Sequence, residues 1–386
     1  MKKIMGYIRE NGDVGFRNHL LILPSVICAN RTAQLLGQIF ENAICITHQH
    51  GCSQGGEDLK QTFRTLIGVA SNPNVAAVLV VGLGCESIEA EDIANEVRKT
   101  GKIVSSLEIQ KCGGVSKTIE QGKKILSEMF EEISKYKRQL VSIDNIVLGT
   151  ECGGSDAFSG ISANVAVGKA SDLIVENGGT VILSETSEII GAEHILEKRC
   201  INKNVGNKLI SVVRRFEQRA LDMGTDIREG TVVPGNMKGG ITSLEEKSLG
   251  CIHKGGETEI KEVIEYACKP LKKGLVVMDT PGDDVESMSG MVAGGAQIIV
   301  FTTGRGTPTG SAVVPVIKIS SNSSTFKNMR EHTDINAGKI IDGDSNIEEL
   351  GQEIFNFILK VAEGFLTKAE ESDQRDFSIN RIGPTF

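Results

Sequence analysis

The chain has no tryptophan and three tyrosines in 386 residues. That scarcity removes the aromatic platforms on which proteins stack bases or sugar rings. Positive charge is also short: 42 Lys and Arg stand against 50 Asp and Glu, a net charge of -8 with no basic run. Nucleic acid and anionic membranes are therefore poor partners. No apolar run reaches the roughly 20 residues of a membrane span. The stretch Leu20 to Ala29 follows Glu10, Asp13 and Asn18 and is interrupted by Pro24, so it reads as a strand rather than a signal core. Nine cysteines, an odd number without CxxC spacing, exclude a disulfide framework or structural zinc site and fit a reducing, cytoplasmic compartment.

Glycine is abundant, with 44 residues, and 40% hydrophobic against 24% charged residues is an ordinary globular balance. A chain of this length exceeds what one core usually organises, so two regions are expected. Six short apolar runs end in glycine-rich loops bearing reactive side chains: Ala43-Ile46 before Thr47-Cys52, Val78-Val81 before Gly82-Glu86, Leu148-Thr150 before Glu151-Asp156, Val181-Leu183 before Ser184-Thr186, Leu275-Met278 before Asp279-Asp284, and Ile298-Phe301 before Thr302-Gly306. Runs without strict alternation suit strands buried on both faces, and parallel sheets bind ligands beyond the strands' carboxyl ends. The fold expected is α/β, two Rossmann-like parallel-sheet regions with the site at converging strand C-terminal loops.

Strand and helix patterns alternate through Leu20-Pro24, Arg31-Phe40, Asp58-Ala70, Ala90-Thr100 and a long amphipathic segment from Ile119 to Lys137. That charged helix, followed by a new strand at Asn145-Leu148, divides an N-terminal α/β domain, 1-138, from a C-terminal α/β catalytic domain, 139-386. Residues 222 to 256, around Val233-Pro234-Gly235-Asn236, read as an extended functional loop. Thr242-Ser243-Leu244-Glu245 then resembles a capping box starting a helix. Beyond Ala369 the chain reads as a poorly packed polar tail.

His48 and His50, two of six histidines, share one side of an extended backbone and could ligate a metal or carry protons. Cys85 with Glu86, and Cys152 with Asp156, place thiols and carboxylates at strand ends, where a borderline metal could bind. Glu185 and His194 sit near another strand end as acid/base or ligand candidates; Glu188 and Glu197 read as solvated helix-face charge. Gly304-Arg305-Gly306-Thr307 lacks the spacing of a nucleotide loop and suits a carboxylate or sulfonate better. Arg17, Lys238, Lys247 and Arg305 are the cations available to an anionic substrate.

Taken together, Gly6-Tyr7-Ile8-Arg9-Glu10-Asn11-Gly12 with Gly15-Phe16-Arg17-Asn18, Thr47-His48-Gln49 with Gly51-Cys52, Gly84-Cys85-Glu86, Glu151-Cys152-Gly153-Gly154-Ser155-Asp156, Gly191-Ala192-Glu193-His194, Pro234-Gly235-Asn236 through Glu245-Glu246-Lys247-Ser248, Asp279-Thr280-Pro281-Gly282 and Thr302-Thr303-Gly304-Arg305-Gly306 resemble the altronate and galactarate dehydratase family, in its catalytic large part. The resemblance implies dehydration of a sugar acid such as altronate to 2-keto-3-deoxygluconate with a divalent metal, Fe2+ first and Mn2+ or Mg2+ as alternatives. A close branch, sulfolactate sulfo-lyase, expels sulfite instead. Both reactions remove a proton α to a carboxylate, which demands cations to stabilise the developing enediolate, a base, and an acid for the leaving group. Full-length members carry a small N-terminal domain that this chain does not show, so a small partner subunit is expected, with homo-oligomerisation. The chain departs from relatives at Ala337, where some have Cys, and at Gly282-Asp283-Asp284, where Tyr is more usual.

The expected site therefore has His48, His50, Glu185, His194 and Lys247 as catalytic residues and Cys85, Glu86, Cys152 and Asp156 as metal ligands. Arg17, Asn18, Gln54, Ser155, Lys238, Thr303 and Arg305 are the expected substrate contacts. The alternatives are the sulfo-lyase and a non-catalytic protein that binds an acidic metabolite.

Overall fold

Two parallel sheets carry the molecule. The computed structural model describes residues 2–386. The first sheet has four strands in the order Ala43–Cys45, His19–Pro24, Val75–Gly82 and Ile103–Glu108. The second has seven, in the order Ile260–Ile264, Gly274–Met278, Thr180–Leu183, Val147–Cys152, Ile298–Thr303, Val316–Ser320 and Ile335–Asn336, all parallel. All six apolar runs singled out in the sequence form these strands, with Ile46 alone just past its strand's end. Val75–Gly82, Gly274–Met278 and Ile298–Thr303 are buried along their whole length, the condition under which a strand loses alternation.

Each sheet reverses its strand order once. In the four-stranded sheet the chain steps from His19–Pro24 to one side and returns to the other at Val75–Gly82; in the seven-stranded sheet the reversal separates Val147–Cys152 from Ile298–Thr303. Loops diverge at such points and leave a crevice beyond the carboxyl ends. Each sheet thus offers one candidate binding edge.

The sheets share a core. Leu21, Val78 and Val80 from the first and Ile182, Val276 and Phe301 from the second belong to one apolar cluster. Between them the helices Gly56–Ser71 and Asp284–Ala293 pack together. Their contact requires Gly68, where an added Cβ would lie 2.4 Å from the Ala293 carbonyl oxygen. Asn72 fixes the same junction by donating to the carbonyls of Val292 and Ala296, both at 2.8 Å. A small antiparallel ribbon adds a second link. Gln139–Ser142 turns back to pair with Lys3–Ile8, and the seven-stranded sheet starts only at Val147.

Two expectations need correction. The supposed extended loop at 222 to 256 coils into the short helices Ile227–Gly230 and Pro234–Lys238, then Leu244–Cys251. Pro234 stands at a first helical position, which its fixed φ favours. The C-terminal segment is likewise no loose tail. The buried Asp58 carboxylate accepts from Arg381 and from the Ile382 amide, Gln61 donates to the Asn380 carbonyl, and Ile379 is buried. A buried carboxylate without those partners would be costly, so the segment straps the two sheets together. Among the described residues, no helix is long and apolar enough to cross a membrane.

Candidate functional site

The carboxyl edge of the seven-stranded sheet gathers charge. Val147–Cys152 ends with Cys152, and the turn after Thr180–Leu183 carries Glu185 and Glu188. Glu185 adopts a left-handed backbone, φ 68° and ψ 65°, rare for a non-glycine residue and commonly found where a fold stores strain for function. Its amide donates to Thr280 Oγ1 at 2.7 Å, and its carboxylate accepts from the Cys152 amide at 3.1 Å. The third contributor is the helix Leu244–Cys251, capped by Ser243, which accepts from the Glu246 amide. Lys247 and Cys251, four residues apart, share one helix face. Lys254 follows in the next turn.

These elements bring Cys152, Glu185, Glu188 and Cys251 together, with one potential ligand atom from each within 4.8 Å of all the others. Cys152 Sγ lies 3.2 Å from Glu188 Oε2 and 3.9 Å from Cys251 Sγ. Lys247 Nζ pairs with Glu188 Oε1 at 2.7 Å, and Lys254 Nζ donates to Glu185 Oε2. Among the described residues this is the one group of three or more such side chains so arranged.

Burial sets the protonation states. Cys251 beside it, together with burial, pushes the Cys152 thiol well above its ordinary range. Lys254 is wholly buried, which favours the neutral amine, yet Cys152, Cys251, Glu185 and Glu188 surround it and hold it protonated. Burial likewise opposes charge on Lys247, and Glu188 outweighs it, so Lys247 stays cationic. Glu188 is held below the ordinary carboxyl range by the same lysines despite its burial. Glu151, also buried, has its pKa pushed well up by desolvation and by neighbouring Glu185, and is held neutral; its Oε2 accepts from Ser287 and Ser184.

Two cavities open on this cluster. One, of about 250 Å³, is lined by Cys152, Ser155, Asp156, Lys247 and His253 among others. The other, of about 520 Å³, is lined by Cys152, Ser155, Glu188, Lys247, Asp283 and Asp284 among others. Cys152, Ser155 and Lys247 form the wall they share.

A family model described as D-galactarate/Altronate dehydratase, C-terminal, matches residues 143–385, and one described as D-galactarate dehydratase/Altronate hydrolase, second domain, matches residues 6–134. The chain belongs to the galactarate/altronate dehydratase family. It is 37% identical to altronate dehydratase of Bacillus subtilis (strain 168), across 99% of this chain and 78% of that protein. It is 34% identical to (2R)-sulfolactate sulfo-lyase subunit beta of Chromohalobacter salexigens, across 99% and 98%. Identity to galactarate dehydratase (L-threo-forming) of Escherichia coli (strain K12) is 36%, across 96% and 74%. The chain is an enzyme of the hydro-lyase class.

In this dehydratase-family chain, five of the expected site residues meet at the cluster and its cavities: Cys152, Ser155, Asp156, Glu185 and Lys247. Asp156 lines the smaller cavity, but its carboxylate is engaged by Ser159, Ser321 and Asn322, so it ties strand-end loops together. Thr303 Oγ1 accepts from the amides of Gly306 and Thr307 and shapes the glycine loop. Lys238, Arg305 and His194 are exposed and line neither cavity. The expected grouping of His194 with the cluster does not occur, because the helix Glu193–Lys198 turns it to the surface while the preceding turn carries Glu188 inward.

The remaining candidates belong to the other sheet. His48 Nε2 donates to the Pro24 carbonyl at 2.8 Å and Nδ1 accepts from the His50 amide at 3.2 Å, which leaves neither ring nitrogen for a ligand. His50 Nε2 meets the Ile379 carbonyl. Glu86 accepts from Ser25 and from the amides of Leu83, Gly84 and Cys85; Cys85 is exposed beside it. Gln54 bonds Asp58, Thr62 and the Gly51 amide. Asn18 is held by Arg9 and the Ile133 carbonyl. All five Arg17 donors are engaged, two by Glu370 and three by backbone carbonyls.

Glu188, Cys251 and Lys254 escaped sequence reasoning. The sequence pattern suggests a solvated face for Glu188, whereas it is buried and central. The signal available was local: Glu185 and Glu188 stand three apart immediately before Ile189-Ile190, a buried apolar pair, so the turn faces inward. Cys251 follows Lys247 at helical spacing behind a legible cap. Lys254 had no comparable mark.

Proposed function

We propose that this chain dehydrates a sugar acid, altronate to 2-keto-3-deoxygluconate being the type reaction, using a divalent metal held by Cys152, Glu185, Glu188 and Cys251. The observation that carries this reading is the buried thiol-carboxylate tetrad flanked by Lys247 and Lys254 at the wall of a cleft. Two thiols and two carboxylates suit a borderline cation such as Fe2+ better than Mg2+, which prefers oxygen alone. A neighbouring cation also resolves an electrostatic problem, since it favours the anionic ligands that burial disfavours.

Such an ion would supply Lewis-acid polarisation of the substrate's oxygens. The protein's own groups position the substrate and protonate the leaving group. Lys247, protonated and facing both cavities, attracts the substrate carboxylate and can pass an Nζ proton to the departing hydroxyl. Burial raises the pKa of Glu185, and the ion pair with Lys254 opposes that shift. Glu151, neutral, keeps a further negative charge out of the floor. Burial of the whole group excludes water, which strengthens every interaction with the developing enediolate.

A small partner polypeptide and a cytoplasmic location belong to this reading. The first is supported by similarity to a protein named as a beta subunit over 98% of its length. The test is formation of a 2-keto-3-deoxy acid from altronate by the chain with Fe2+ or Mn2+, with and without the small partner and a chelator. Product that disappears on chelation is expected. Absence of product from altronate, galactarate and sulfolactate with metal and partner supplied would leave only the binding reading.

A further inference from the structure

Asp283 and Asp284 line the larger cavity together with Lys247. The turn Gly282-Asp283-Asp284 lies directly over the cluster: a Cβ on Gly282 would stand 2.4 Å from Ser187 Oγ and 3.8 Å from Glu188 Oε1. Asp284 reaches across to the strand-end loop, where a Cβ on Gly153 would stand 2.2 Å from Asp284 Oδ2. Gly153 therefore leaves room for this carboxylate to close the wall. Asp283 Oδ1 accepts from the amides of Val285 and Glu286 and caps the helix Asp284–Ala293, which fixes the turn. The Asp284 carboxylate accepts no hydrogen bond among the described residues and borders the cavity. Beneath lies Lys318, wholly buried, with its Nζ 3.2 Å from the Phe301 ring centroid and no hydrogen-bond partner. Burial lowers its pKa to about 7, and the substrate cannot reach it.

Resting on the lyase reading, we infer that Asp283 and Asp284 select by charge, admitting a polyhydroxy acid with a single anionic group and rejecting acids that carry a second one. The chemistry of the cluster fixes the orientation: the reacting carbons and their carboxylate lie at Lys247, so the far end of the substrate meets the Asp283-Asp284 turn. Hydroxyl groups there donate to Asp284. A second carboxylate, or the sulfonate of sulfolactate, meets like charge there and cannot contact Lys318, which is buried behind the wall, and such juxtaposition is unfavourable.

The experiment compares altronate, galactarate and sulfolactate as substrates and as calorimetric ligands of the full chain supplied with Fe2+ or Mn2+. The comparison is then repeated with Asp283→Asn/Asp284→Asn. Asparagine is as good a helix cap as aspartate, so the turn is retained. Altronate is expected to exceed both dianions in kcat/KM by about a hundredfold, and the double variant to shift the galactarate-to-altronate ratio towards galactarate by about tenfold or more. Equal use of a dianion by the native chain, or an unchanged ratio in the variant, overturns the inference while leaving the lyase reading intact. If none of the three acids is turned over, the lyase reading fails, and calorimetry still decides the selectivity: tighter binding of altronate supports it, and equal or tighter binding of a dianion overturns it.

Discussion

The two parallel sheets share a strand plan and differ in what their carboxyl edges do with it. At the edge of the four-stranded sheet every notable side chain but Cys85 and His50 Nδ1 has a partner: both His48 nitrogens are engaged, and Glu86 is wrapped by a hydroxyl and three amides. At the edge of the seven-stranded sheet, two thiols, two carboxylates and two lysines are compressed into one buried group beside open cavities. Satisfied polar groups stabilise a loop and give it little chemistry. Crowded charges on a low-dielectric floor cost stability and are where proton transfer and metal binding occur. Sequence motifs look alike at the two edges, so only the side-chain partners separate the structural one from the reactive one.

The sharpest way to test that contrast is to remove a charge from the crowded edge. Lys254→Met leaves Glu185 buried and unpaired and should lower unfolding free energy by about 3–5 kcal/mol, read by denaturant titration. Next, Lys247→Met should reduce kcat by about 10²–10³-fold, the scale for loss of a group that stabilises developing negative charge, with native unfolding cooperativity retained. Loss of less than about threefold would remove Lys247 from the chemistry.

The quiet edge has its own signature. Burial lowers His48 to about 4, with the Pro24 carbonyl opposing and His50 adding to the shift. In the unfolded chain it titrates near 6.5, so between those values the unfolded state binds more protons. Stability from this residue is therefore lost as pH falls from about 6.5 to about 4, by roughly 3 kcal/mol, and is level below that. His48→Gln should flatten that part of the stability profile. Smallest of all, Lys238→Ala and Arg305→Ala should change stability by no more than about 0.5 kcal/mol and KM by less than about twofold, because both side chains are exposed and line neither cavity.

Much of the fold was legible. Continuous apolar runs such as Val78-Val81 and Ile298-Phe301 announced buried parallel strands, and the box Thr242-Glu245 announced, one residue early, the Ser243-capped helix that delivers Lys247 and Cys251. Ile103–Glu108 was less visible because Ser105 and Ser106 break its apolar character. The site was read in part for a physical reason: a loop motif reveals that side chains stand at a strand end, but not which way they turn or what they meet. Arg17 looked like a substrate clamp until its partner Glu370 appeared from 353 positions away. Nothing in the sequence around Lys254 marks it, and only the fold surrounds it with acids.

Metal analysis of four proteins tests the central assignment most directly: the native chain, Cys152→Ser, Glu188→Gln and Cys85→Ser, each reconstituted with Fe2+ and desalted. One ion per chain in the native protein and in Cys85→Ser, with loss in Cys152→Ser and Glu188→Gln, is the predicted pattern. Retention by both variants of the crowded edge, or loss on substitution of Cys85, would contradict it.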